Sequence, residues 1–428
     1  MVLVAASLAV LVAMAALAID VTTLYLARSE AEKAADSAAL AGAKTFVSSG
    51  FTSGQLGPPS SGSAQSQACN GGSGLADRRA VSDANQNTIS GAQPSSVTTS
   101  CNLANPENPR ITVTVTRTGL PTFFSRIFRR QPGQVRATAQ AEAYNPSGQA
   151  TPISVGSIKP WLFANCDSSH TTPANPNCPG SAYFLDPAQN YALANSGDFL
   201  GRQITLQQIL PPVLPTSLPL NFLDSYYALN VPIDSGSASC PASSAPSCGR
   251  IDAGAPGSFE SVACANRVKL QCGASDAQGV TVSPLGTLLT GGNADRAVRC
   301  LIHADGYGSD QGQDSFDFGG IGDPMTIDGG YNNPNPALQD VDDISRSDSV
   351  VTVPLWDGSL LCSALICPPK IVGFMQLGIV RVRRPVLPLG LVAGPIDARI
   401  LNVSGCGMAA GTAVSGGGTS PIPVRLVQ

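Results

Sequence analysis

Histidine is almost missing from this sequence: among 428 residues only His170 and His303 occur. Neither sits in an H-E-x-x-H zinc helix, and no G-x-S-x-G elbow, P-loop or G-x-G-x-x-G fingerprint is present. A serine triad, a zinc protease and a dinucleotide-binding site therefore have no sequence support, and a non-enzyme is expected. Charge is also scarce. Lys, Arg, Asp and Glu make up 13% of the chain, about half the usual share, and the net charge is −4. Nucleic acid is thereby excluded as a partner of the whole chain. No C-x-x-C pair exists among the 12 cysteines, which excludes zinc-ribbon and thioredoxin-like sites. The first 19 residues, MVLVAASLAVLVAMAALAI, contain no charge, and no proline precedes Pro58.

What remains is informative. An uncharged helix from Met1 to Ile19 would be about 28 Å long, enough to cross the hydrocarbon core of a bilayer. The helical pattern continues as DVTTLYLARSEAEKAADSAALAGA to about Ala43, so one rod stands half in lipid and half in water. Ala16-Leu17-Ala18 also fits a signal-peptide cleavage site, but the basic n-region is lacking and the apolar run is long for an h-region. A retained anchor is the favoured reading, with the natural start upstream or trimmed. Ala31, Ala35, Ala38 and Gly42 form a small-residue stripe. It is expected to pack on the protein's own sheet rather than to form a seam with another helix.

Gly and Pro together number 78 and recur after residue 146, where strands with long loops are expected and no long amphipathic helix. The fold class is α+β: a long transmembrane and stalk helix (1–48), a small α+β domain (49–145) and a β-rich, disulfide-stapled extracytoplasmic region (146–428). In the small domain, 75–90 reads as a short helix, and 110–117 and 133–144 alternate as strands. Between these strands, 121–130 reads as a turn of helix. Phe123, Phe124, Ile127 and Phe128 share one face, and Arg126, Arg129 and Arg130 lie largely off it, placed to meet an anionic membrane surface. Farther on, 203–209, 349–356, 370–384 and 397–405 are the best strand candidates.

An anchor with an even cysteine count points to an oxidising compartment. Close spacing suggests Cys166–Cys178, Cys240–Cys248, Cys264–Cys272 and Cys362–Cys367, leaving Cys69–Cys101 and Cys300–Cys406. The charge is uneven. Residues 1–150 hold 11 Lys and Arg against 8 Asp and Glu, and the rest hold 14 against 21. Ten Asp fall between Asp305 and Asp348 with Arg346 as the only Lys or Arg. Asp310, Asp314, Asp317, Asp323 and Asp328, set among glycines, are candidate calcium ligands; the alternative is a solvated acidic loop with Asx turns. No other cofactor is expected.

The segment ALAIDVTTLYLARSEAEKAADSAALAGA resembles the N-terminal signature of the tight-adherence (Flp) pilus-assembly TadE/TadG-like proteins. Asp20, Tyr25, Arg28, Ala35, Asp36, Ala38, Ala39, Leu40, Ala41, Gly42 and Ala43 carry the match. ITVTVTRTGLPTFFSRIF followed by VRATAQAEA is similar to the strand, Phe-Phe helix and strand that come next in such proteins. The resemblance covers about residues 1–145. It implies a non-catalytic component of pilus assembly or adhesion, single-pass in the inner membrane, with its body in the periplasm or on the surface. Its partners would be the lipid bilayer and other pilus or secretion-assembly proteins. An extracytoplasmic ligand- or calcium-binding module unrelated to pili is the alternative. Pilin processing needs a Glu early in the apolar run, and residues 1–19 have none. Asp343-Ile344-Ser345-Arg346-Ser347 spells the D-x-S-x-S of a von Willebrand A-type metal site. The preceding NNPNPALQDVD is no buried strand, so the match is read as chance.

Overall fold

The computed structural model describes residues 2–53, 67–105, 107–120, 133–147, 153–167, 182–194, 199–208, 225–230, 248, 261–264, 269–272, 281–282, 291–319, 323–357, 369–384, 394–406, 414–415 and 419–427. Two units result. The first comprises residues 1–46, 59–143 and 424–428, and the second comprises 47–58 and 144–423. Residues 424–427, expected in the distal region, thus belong to the first unit, and 47–58 belong to the second.

In the first unit, α1 (Val2–Ser48) and α2 (Leu75–Gln86) accompany a four-stranded antiparallel sheet. Its order is β1 (Ser96–Asn102), β2 (Arg110–Leu120), β3 (Gly133–Ala143) and β18 (Val424–Val427). Alternation in β2 and β3 dictates the buried face: Ile111, Val113 and Val115 beside Val135, Ala137, Ala139 and Ala141. Ala31, Ala34, Ala35, Ala38, Ala39 and Ala43 of α1 are fully buried, and such small side chains let the helix backbone come close. At Gly42 the approach is closest. An added Cβ would lie 2.7 Å from Ile111 Cδ1, 3.2 Å from the Ala76 carbonyl and 3.3 Å from Ala80 Cβ. The small-residue stripe therefore packs within its own unit.

Asp77, at the third position of α2, is wholly buried. It accepts hydrogen bonds from Asn70 N (2.7 Å), Gly74 N (3.2 Å) and Thr99 Oγ1 (2.6 Å), capping the helix and tying it to β1. The Cys69–Cys101 disulfide, one of the expected pairs, makes the same connection covalently.

In the second unit, β9 (Ser225–Asn230), β5 (Trp161–Ala164), β14 (Val350–Trp356), β15 (Ile371–Val382), β16 (Ile396–Gly405) and β8 (Gln203–Gln208) pair in that order, and β8 pairs back onto β9. The six strands close into a ring through the short β8–β9 pairing, Gln207↔Ser225 and Gln208↔Tyr226, and Thr281–Val282 pairs beside it on β9. Pro354 lies inside β14, but β5 bonds only Leu355 and Trp356 there, so no second ladder needs the missing N–H. Trp161, Tyr226, Val353, Leu377 and Ile400 are among the core residues, joined by Ala294, Ala297, Val298 and Leu301 of α3 (Gly291–Leu301). Sequence reading did not single out this helix. At 11 residues and opening on Gly-Gly, its apolar pattern is too brief to stand out from the surrounding loops.

Nonlocal disulfides correct the nearest-neighbour pairing. Cys248 bonds Cys300, and Cys272 bonds Cys406, which excludes Cys240–Cys248, Cys264–Cys272 and Cys300–Cys406. The reason is topological. The strand Lys269–Gln271 pairs with Ile153–Gly156, and this small sheet packs on the end of β16 where Cys406 lies. Cys166 and Cys264 are also disulfide-bonded. Cys178, Cys240, Cys362 and Cys367 lie outside the described residues, and with them the expected pairs Cys166–Cys178 and Cys362–Cys367.

Two outcomes follow for stability. Gly42→Val overpacks the seam and should lower the stability of the first unit by about 1–3 kcal/mol in urea unfolding. Replacing both Cys272 and Cys406 by Ala opens a loop of 134 residues, and should cost about 3–5 kcal/mol in the second unit.

Candidate functional site

The N-terminal half of α1 behaves unlike the rest of the molecule. Leu3 (86% exposed), Leu8, Leu11, Met14, Leu17, Val21 and Leu26 all stand exposed, with a buried face opposite them that begins at Ala16 and Asp20. Ser7, Thr22 and Thr23 return their hydroxyl protons to the carbonyls of Val4 (2.9 Å), Ala18 (2.7 Å) and Ile19 (2.9 Å). Their polar groups are thus satisfied without water. The face opposite the exposed side chains is half-buried at Thr23 and Leu24 and is continuously buried from Ala27 onward. Tyr25 and the Arg28–Glu32 pair (3.0 Å) mark the change, an aromatic and charged girdle of the kind that sits at a membrane interface. Twenty-five residues, 2–26, would rise about 37 Å. The sequence alone puts the first polar boundary at Asp20. In the structure Asp20 is shielded and engaged in an interaction, and exposed apolar side chains continue past it. Among the described residues, α1 is the one helix long and apolar enough to cross a membrane.

The five candidate calcium ligands do not converge: no three of them bring a ligand oxygen within 4.8 Å of one another. Asp314 is buried and its carboxylate accepts from Gly330 N (2.9 Å), Asn333 Nδ2 (3.0 Å) and Ser347 Oγ. Asp328 accepts from Asp343 N (2.9 Å). Asp317 and Asp328 flank a short hairpin, pairing with Thr326 and Ser315 respectively. Asp310, exposed, and Asp343 adopt left-handed φ angles of 59° and 60°. Asp323 lies close to Gly319. The carboxylates of Asp314 and Asp328 hold loop groups in place, the Asx-type role set against calcium in the sequence. Ser347 of the D-x-S-x-S match is spent on Asp314. The one convergent group among the described residues is Cys69, Asp77 and Cys101, whose sulfurs are bonded to each other. Arg126, Arg129 and Arg130, with the phenylalanines beside them, lie outside the described residues, as does His170.

His303 is buried, with Nε2 3.1 Å from Asp348 Oδ2, and this hydrogen bond holds Asp348 below the usual carboxylate range. Lys159 is buried too. It donates from Nζ to the Cys264 carbonyl (3.0 Å), and desolvation pulls it down to about 8 against the opposing pull of Asp348. Burial by itself would raise Asp397, but Arg383, Arg381 and Thr205 outweigh it and keep it low. Sequence reading singled out none of these networks except through the scarcity of histidine.

Asp295 behaves oppositely. Gly394 N donates to Oδ1 (2.6 Å), Oδ2 has no hydrogen-bond partner, and burial pushes the carboxyl up to about 6. Its folded value lies above the ordinary 3.8, so the protonated form is preferred in the fold. Its contribution is therefore fully present below the ordinary 3.8 and is lost as pH rises through about 6. Asp295→Asn keeps the acceptor for Gly394. It should raise stability at pH 7.5 by about 2 kcal/mol and match the parent below pH 4, as read from urea unfolding at each pH.

Residues 1–45 match the TadE/G-like Flp pilus-assembly family model. The matched segment is the apolar half of α1 together with nearly all of its buried half. Neither a curated protein nor a solved structure gives a match.

Proposed function

We propose that the chain is a single-pass, membrane-anchored and non-catalytic component of Flp-type pilus assembly, with its two folded units outside the cytoplasm. The observation that carries this is the change along α1, within the family match, from a first stretch whose apolar side chains stand exposed, as at Leu3, Leu8, Leu11 and Met14, to one whose small side chains are buried on one face, beginning at Ala16 and close-packed from Ala27 on. The first environment suits lipid, and the second suits a folded domain at the membrane surface. Disulfides in both units favour an oxidising compartment for the body. Buried Lys159, His303 and Asp397 are engaged in structural bonds, which favours an assembly role over catalysis. Its partners are then lipid along residues 2–26 and other pilus-assembly proteins at the folded units.

The full chain should remain with the membrane pellet after carbonate extraction, and a protease added outside the inner membrane should reach the body. Leu11→Arg with Met14→Lys places two charges in the exposed run. At about 2.5–3.5 kcal/mol each, they should shift most of the chain out of that pellet. A parent chain released by carbonate, or a body protected from external protease, would sink the corresponding part of the proposal.

A further inference from the structure

Several arginines of the second unit have their forks satisfied by oxygen. Arg202 donates to Asp167 (2.6 Å), Arg383 to Asp397 (2.8 Å) and Arg399 to the Gly201 carbonyl (2.8 Å). Two arginines depart from this. Arg299 lies in the last turn of α3, and Arg384 lies two residues past the end of β15. Among the described residues, neither side chain makes a hydrogen bond or an ion pair, and Arg299 Nε is shielded as well as unpartnered. Both sit against one ring. Arg299 Cζ is 4.6 Å from the centre of the Tyr307 ring, and Arg384 Cζ is 5.7 Å from it. Strand alternation explains the second contact. Val382 meets the core on the α3 side of β15, Arg384 continues that side, and Arg381 and Arg383 turn away to Asp397.

The ring attracts a guanidinium through its quadrupole but takes up none of its N–H groups. Tyr307 is half-buried, packed on the core, and its hydroxyl has no hydrogen bond among the described residues. Two forks and a phenol thus meet at the surface, where Arg384 is exposed, with no acceptor supplied to any of them. The two cations also repel each other. Acid is abundant in this part of the chain, since residues 151–428 hold 14 Lys and Arg against 21 Asp and Glu, yet no carboxylate bonds either arginine. Asp295, one turn before Arg299, accepts from Gly394 N and feels Arg299 only through space. Asp305, two residues before Tyr307, is turned to Tyr331.

The missing partner is an anion with several oxygens. It would supply acceptors to both forks and offset their repulsion, and a guanidinium fork matches such an oxyanion two bonds at a time. Two cations match a dianion in charge, which favours phosphate or sulfate over a single carboxylate. We infer that Arg299, Arg384 and Tyr307 form a binding site for a phosphate-class dianion, free or carried as a monoester on a larger molecule. This does not depend on the proposed role in pilus assembly.

The test titrates the full-length chain, in a phosphate-free detergent, with inorganic phosphate at pH 7.5 and fixed ionic strength. Phosphorus NMR line broadening should show saturable binding that sulfate displaces and acetate displaces poorly. Arg384→Gln changes an exposed side chain and should leave the circular dichroism spectrum as in the parent. It should weaken phosphate binding at least about tenfold, the lower end for losing a hydrogen bond to a charged group. Arg384→Lys keeps the charge without the fork and should fall between the two. Arg299→Gln should weaken binding similarly; where it does not fold, Arg384→Gln carries the test alone. Glycerol 3-phosphate binding more tightly than inorganic phosphate assigns the group to a larger molecule, and the reverse order assigns a free ion; both support the site. A parent without saturable binding, or Arg384→Gln binding as the parent does, marks an adventitious ion only and overturns the inference.

Discussion

The close approach of α1 to the sheet beneath it governs the first unit. A helix can settle on β2 and β3 at this distance only if its facing residues have almost no side chain, and Ala31, Ala35, Ala38, Ala39, Gly42 and Ala43 meet that condition. Bulk is then supplied from the other side, by Ile111, Val113 and Val115. Because alanine buries little apolar area, the seam is not strongly stabilised by the hydrophobic effect alone. The unit adds other fastenings: the Asp77 cap, the Cys69–Cys101 bond, and the hydrogen bond from Ser90 N to Glu30 at 2.6 Å. It is an alanine-rich core fastened at its margins.

The second unit solves a different problem. Its strands are connected by long Pro- and Gly-rich stretches, so closure of the ring has to come from strand pairing rather than from tight turns. Ring closure by β8 on β9 and covalent closure by Cys272–Cys406 both act over long sequence separations. Buried amides do the same at one place. Asn402 accepts from Thr52 Oγ1 (2.9 Å) and donates to the Val47 carbonyl. Asn145 donates to the carbonyls of Thr52 (2.9 Å) and Val403 (3.1 Å). The segment that follows α1 is thereby bound to β16 by satisfied polar groups, which fix one geometry where apolar contact would tolerate several.

Legibility followed the range of the signal. Residues 203–209, 349–356, 370–384 and 397–405 lie within one or two residues of β8, β14, β15 and β16, because their apolar runs are long and bounded by turn residues. β1 escaped notice. Its SVTTSCN sequence is an edge strand with one open face, so hydroxyls serve in place of an apolar alternation. The short VRLV of β18 carried no hint that it returns to the first unit, since nothing local encodes a partner 283 residues away. The cysteine pairing failed for the same reason, apart from Cys69–Cys101, where a short helix fills the interval. The acidic stretch misled in another way. Asp among glycines is the composition both of a cation loop and of a loop stitched by Asx bonds, and only the position of donors such as Asn333 and Ser347 separates the two.

The family match stops at residue 45, next to the point where α1 leaves the first unit at Phe46. There is a physical reason for a sequence signal to be dense before that point and thin after it. Along α1 nearly every position is constrained twice, by helix geometry and by its surroundings. In the first half the exposed side chains are almost all apolar, and in the second the seam leaves so little room that at Gly42 even a Cβ would press on Ile111 and α2. Few residue types satisfy both conditions, so the solution reads as a motif. The ring of the second unit asks less of each position. Its interior needs apolar volume and its ladder needs extended backbone, and Val, Ile, Leu, Phe and Met supply these almost interchangeably. A segment under tight steric and solvent constraint remains recognisable in sequence, whereas a β core built on volume alone leaves little to match.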